Sequence, residues 1–212
     1  MFRCPILPVR AVVAAGLALI ASLAPSAARA DLIVTVQSVV VTAGPGTKAL
    51  DVVLTNTGPT AVTIGSFSVG LSTASAVTFT EANISTVTPY IFGANSAFGP
   101  IISTTPPPNG PSLLASDQFL TAGSGVSVAS GSTVGLAHVL FLAPTPGVYT
   151  VSLLAFPTTT LSGPTGGNVT ITTLANGTIS VVPEPPTAIL LALALPAILP
   201  AAARIRAIRR AR

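Results

Sequence analysis

The sequence predicts an all-β fold, a sandwich of about eight to ten short strands held between two apolar ends. Three observations predict it. Val, Thr, Ile and Phe are abundant from Asp31 to Val182 while Glu, Lys and Arg are nearly absent, a composition that suits pleated, half-buried strands. Short apolar alternations bounded by Gly, Pro and Asn recur along this span, as strands separated by turns do. No window carries an amphipathic helix with a charged outer face. The 152 residues of the span suffice for one domain with its own core.

The elements follow in order. Leu32, Val34 and Val36 alternate with Ile33, Thr35 and Gln37, and Gly44-Pro45-Gly46 then breaks the chain. Leu50, Val52 and Leu54 share one face of the next run, which ends at Asn56-Thr57-Gly58-Pro59. Phe67, Val69 and Leu71 alternate with Ser66, Ser68 and Gly70; Val77 and Phe79 follow. Pro89 to Pro111, with Pro106-Pro107-Pro108, reads as a long surface loop. Val126 and Val128 come next, then Val134 to Leu142, apolar on both faces as a central strand is, then Val148 to Leu154. Val169–Ala175 and Thr178–Val182 are joined by Asn176-Gly177, which predicts a closing hairpin with a type I′ turn. A linker is expected from about Ser180, stiffened by Pro183, Pro185 and Pro186.

Both ends read as addresses. Arg3 and Arg10 precede the apolar run Ala11–Ala24, and Ala28-x-Ala30 follows. These are the three regions of a secretory signal peptide over residues 1–30, with cleavage expected between Ala30 and Asp31. An uncleaved anchor is the lesser reading, because the apolar core is shorter than the ~20 residues of a spanning helix. Cys4 would leave with this peptide, so the mature body has no cysteine and no disulfide. At the other end Thr187–Ala203 is a short apolar segment interrupted by Pro196 and Pro200. It is closed by Arg204, Arg206, Arg209, Arg210 and Arg212, five of the nine basic residues of the chain. An apolar segment followed by arginines is expected to be a transmembrane helix whose end stays in the cytoplasm. Between the two ends, Lys48 stands against Asp31, Asp51, Glu81 and Asp117, leaving a net charge of −3. The basic pI therefore belongs to the addresses and implies no nucleic-acid partner.

Val182-Pro183-Glu184-Pro185, the apolar segment and the arginine cluster, in that order, resemble the PEP-CTERM sorting tail of exported bacterial proteins. The resemblance implies a tail over residues 183–212, an inner-membrane intermediate, and recognition by an exosortase-type membrane protease near the Pro-Glu-Pro motif. It also implies a setting rich in exopolysaccharide. Within the body, Leu50 to Phe79, Gly135 to Phe141 and Gly147 to Val151 resemble successive strands of cohesin-like modules. That likeness implies a jelly-roll-like sandwich, a fold shared with carbohydrate-binding modules.

Chemistry is sparse. His138, flanked by Leu136 and Leu140, reads as a strand-edge or partly buried core residue, with no second histidine or cysteine to complete a metal site. Asp51 reads as a solvent-facing strand residue, and no catalytic or phosphate-binding motif is present. No catalytic residue, metal or cofactor is expected. Tyr90, at the edge of the long loop, is the one candidate sugar platform; Tyr149 alternates with core positions and reads as packing. The expectation is an exported, non-enzymatic surface or extracellular-matrix protein that meets signal peptidase, the sorting enzyme and the membrane. Its further partners would be exopolysaccharide or other matrix proteins. The alternatives are a carbohydrate-binding module using the loop around Tyr90, or a permanently anchored protein with an uncut tail.

Overall fold

In the span from Leu32 to Val182 every second residue of most runs is apolar, and burying those faces against each other sets the architecture. The computed structural model describes residues 30–99, 101–105 and 110–184. The signal peptide up to residue 29, Ala28 included, the tail from Pro185, the apolar segment 187–203 and the arginines from Arg204 to Arg212 lie outside the described residues. No helix among the described residues is long and apolar enough to cross a membrane.

In chain order the strands are β1 (Leu32–Val36), β2 (Val39–Thr42), β3 (Gly44–Asn56), β4 (Val62–Ile64), β5 (Ser66–Ser72), β6 (Thr78–Asn83), β7 (Ser103–Thr105) and β8 (Ser112–Gln118). Then come β9 (Val126–Val128), β10 (Thr133–Ala143), β11 (Gly147–Leu153), β12 (Thr160–Ser162), β13 (Asn168–Val169), β14 (Thr173–Ala175) and β15 (Gly177–Val182). The front sheet has the order β14-β1-β3-β10-β6. The back sheet has the order β13-β12-β5-β11-β15-β2, with β8 on the other side of β5 and β7 beyond β8. β4 and β9 form a separate two-stranded ribbon. The all-β sandwich is as expected, but its strands are shorter and more numerous, because several runs change sheets midway.

One core fills the space between the sheets. Leu50, Val52 and Leu54 of β3, Val139 and Phe141 of β10 and Phe79 of β6 share it with Phe67, Val69 and Leu71 of β5, Val151 of β11 and Ile179 of β15. Each such side chain contributes roughly 1.5–3 kcal/mol when fully buried. β10 lies between β3 and β6, the central position expected for the run Val134–Leu142.

The first and last strands travel together. β14 runs parallel to β1, pairing Ile33 with Thr173, and β15 runs parallel to β2, pairing Thr42 with Val182. Both segments leave the front sheet and enter the back sheet, near Gln37–Ser38 and at Asn176. The chain therefore enters at one end of the sandwich and leaves at the other.

Four local expectations are corrected. Asn176-Gly177 makes no hairpin: β14 and β15 belong to different sheets. Asn176 Oδ1 accepts the Leu153 N–H at 2.9 Å, and Gly177 is buried, where a Cβ would lie 2.6 Å from the Val36 carbonyl. The glycine serves close packing, without the positive φ of a type I′ turn. The break between β2 and β3 falls at Ala43, while Gly44 (φ 142°), Pro45 and Gly46 already lie inside β3. The segment after Pro89 is no mere surface loop, since Ile91, Phe92 and Ile102 are buried in the core. Finally, β15 continues through Ser180 to Val182, so the exit from the domain comes later than expected.

Candidate functional site

Two buried carboxylates organise the loops. Asp51 is not solvent-facing: it is 3% exposed. It lies opposite His138 in the β3–β10 register, and its Oδ1 receives His138 Nδ1 at 2.6 Å. Its Oδ2 accepts the Val87 N–H at 2.7 Å, because the chain after β6 arches over this part of the front sheet. His138 is therefore a half-buried residue on the outer face of a central strand, with its Nδ1 engaged. Asn83, opposite His138 on β6, donates to Glu81 at 2.8 Å. Among the described residues no group of three or more His, Cys, Asp or Glu side chains could hold a metal.

Asp117, next to last in β8, points inward, 2% exposed. Its Oδ2 accepts the hydroxyls of Tyr90 and Ser96, each at 2.5 Å, and its Oδ1 accepts the N–H groups of Gln118 at 2.7 Å and Phe98 at 3.4 Å. Tyr90 is consequently no exposed platform. Its ring lies edge-on to Phe67 (6.4 Å) and Phe92 (6.1 Å), and its hydroxyl is committed to Asp117. Burial, reinforced by that carboxylate, pushes the phenol far above its ordinary value of 10.0. The folded state thus keeps a proton that the unfolded chain releases above about pH 10, so the contribution of Tyr90 is complete at neutral pH and lost as pH rises beyond that point. Denaturation midpoints measured from pH 7 to 11 should fall less steeply at the alkaline end in Tyr90→Phe than in wild type, by up to about 1.4 kcal/mol per pH unit. Parallel alkaline limbs would refute this. Tyr149 packs against the core as expected and donates to the Thr145 carbonyl at 3.0 Å.

The outer face of the back sheet has a different character. Ser66, Ser68, Gly70 and Ser72 of β5 lie beside Gln118, Ser116, Leu114 and Ser112 of β8, pair by pair. Ser162 and Thr160 of β12 extend two of these rows on the other side. Strand alternation makes this inevitable: Phe67, Val69 and Leu71 point into the core, so their serine neighbours point out. The result is a surface of mostly short hydroxyl side chains, without an ionisable group, over whose middle the 154–159 segment folds. A Cβ at Gly70 would lie 2.1 Å from Thr158 Cγ2, and Ser68 Oγ donates to the Thr158 carbonyl at 3.0 Å. Sequence reading missed it as a surface. The alternating serines were visible, but their alignment across β5, β8 and β12 depends on a strand order the sequence does not show.

Of the sorting motif, Val182 closes β15 and Pro183 and Glu184 are exposed, with the Glu184 carboxylate over Gly44. At the other address, Ala30 packs partly on the core, and the Asp31 carbonyl accepts the Thr57 N–H at 2.8 Å.

No family model matches the chain, and no curated protein does. Among solved structures, it is similar to a non-cellulosomal cohesin from the archaeon Archaeoglobus fulgidus, at 16% identity and a TM-score of 0.50, covering 72% of this chain and 91% of that one. A type I cohesin–dockerin complex from Clostridium thermocellum contains a chain 12% identical, with a TM-score of 0.54 and coverages of 76% and 99%. A type I cohesin from Pseudobacteroides cellulosolvens is 14% identical, with a TM-score of 0.50 and coverages of 74% and 95%. At these identities the likeness establishes the fold, a cohesin-like β-sandwich.

Proposed function

We propose that the chain is an exported, non-enzymatic surface or extracellular-matrix protein whose sandwich binds another protein through the serine-lined face of the back sheet. The observation that carries this reading is the neutrality of that face: eight paired positions on β5 and β8 with no charge among them. Such a surface sheds little water of ionic hydration when covered, and its short side chains lose little rotamer freedom. The solved relatives include a cohesin in complex with a dockerin, which supports a protein partner by analogy of fold only. Asp51, His138, Asp117 and Tyr90 are all engaged in holding loops, which argues against a catalytic role for them.

The ends supply the route. A cut between Ala30 and Asp31 would leave β1 whole, since that strand begins at Leu32. Pro183 and Glu184 emerge directly from β15, where an exosortase-type enzyme would reach the motif. Intact mass of the exported protein tests this route: a species beginning at Asp31 and lacking Arg204–Arg212 is expected, and a mass including those arginines would instead mark a permanent anchor.

The binding face is tested by retention of partners from the secreted fraction of the host. Ser116→Arg, which places a long cation in the middle of the face, should weaken retention at least about tenfold, or ~1.4 kcal/mol. Equal retention by this variant and wild type would defeat the assignment of the face.

A further inference from the structure

An open groove of about 400 Å³ lies between the connection from β11 to β12 and the segment 168–174. Phe156 stands at its side with 73% of its surface exposed. Thr160, Asn168, Thr170, Thr172 and Ile171 complete the parts that matter. The Thr172 hydroxyl accepts the Leu32 N–H at 3.3 Å. Among the described residues, the hydroxyls of Thr160 and Thr170 and the amide of Asn168 make no hydrogen bond to protein. No ionisable side chain lines the groove.

We infer that this groove is a binding site for neutral saccharide, a polysaccharide segment laid across Phe156. An exposed aromatic face offers apolar area to the C–H face of a sugar ring. The two threonine hydroxyls donate and accept, and the asparagine amide does both through separate atoms, which matches the ring hydroxyls of a sugar. The absence of any cation removes the means of holding phosphate or carboxylate, so a charged ligand has no counterpart here. The groove volume falls within the ~300–1,000 Å³ of small-ligand sites, and its open form leaves room for a chain to continue at either side. Phe156 takes the place that sequence reading gave to Tyr90, whose ring the core has claimed. The groove adjoins the serine-lined face and shares Thr160 with it, but Phe156, Asn168 and Thr170 belong to the groove alone and Ser116 to the face alone, so variants at those positions tell the two readings apart.

The test is native electrophoresis of the exported protein through gels containing hydroxyethylcellulose, galactomannan or dextran as neutral polymers, and alginate as an acidic one. At least one neutral polymer is expected to slow migration. Phe156→Ala should weaken that effect about tenfold or more and Asn168→Ala severalfold, while Ser116→Arg leaves it unchanged. Phe156 is exposed, so its truncation should leave the melting temperature in place, and that measurement accompanies the gels. Three results would each overturn the inference: no slowing by any neutral polymer, slowing that survives Phe156→Ala, or retardation by alginate alone.

Discussion

Asp117→Ala is expected to destabilise the protein by about 3–5 kcal/mol, the range for breaking a buried hydrogen-bonded charge network. One carboxylate receives two hydroxyls and two backbone N–H groups. Removing it leaves donors from Tyr90, Ser96, Phe98 and Gln118 without their acceptor, and each buried orphan costs about 1–3 kcal/mol when water does not reach it. The loss should be regional as well as global. The segment from Tyr90 to Gly99 brings Ile91 and Phe92 into the core, and Phe92 stacks on Phe67 at 5.8 Å. Releasing its tie to β8 should open this segment before the rest unfolds. Denaturant titration gives the first quantity, and limited proteolysis with mapped cleavage sites gives the second. Asp117→Asn, which keeps one acceptor oxygen, should fall between the alanine variant and wild type. A loss below about 1 kcal/mol in the alanine variant would show that the network contributes little.

Gly177→Val should cost about 3 kcal/mol, at the upper end for overfilling a packed site. A Cβ here would stand 2.6 Å from the Val36 carbonyl oxygen and 2.8 Å from Val36 Cγ1. Neither can retreat easily, because Val36 is paired with Val52 in the front sheet and Gly177 with Val151 in the back sheet. The strain falls where both terminal strands change sheets, so the parallel pairing of β15 with β2 should loosen with it. Amide exchange of Ile179 and Val181 is the sensitive readout: faster exchange is expected there than in β10. A hairpin at Asn176-Gly177 would predict the opposite ranking of variants, with strain arising from backbone twist and little dependence on side-chain volume. Ala and Val at 177 should therefore differ measurably.

These two positions show where sequence reading reaches its limit. The all-β class, the inward faces of β1, β3 and β5 and the central place of β10 follow from alternation alone, because burial of one face is a local property of each run. Asn176-Gly177 misled for a physical reason: its hairpin preference concerns isolated turns, and here the neighbouring strands had partners elsewhere. The burial of Asp51 was illegible because it depends on Val87, thirty-six residues away, arching across the sheet. Tyr90 was misplaced in the same manner. An aromatic next to a proline-rich loop looks exposed, yet the inward carboxylate of Asp117 drew Tyr90 down, and nothing comparable faces Phe156.

The paired course of the terminal strands sets a distance. From Leu32 to Thr42 the chain advances ten residues at roughly 3.3 Å each, which is on the order of 30 Å from entry to exit. A tether attached beyond Glu184 would moor the protein by one pole. The opposite pole, with the turns beside Asp31 and Thr57, could then stand clear of the mooring surface by as much as the full height of the sandwich.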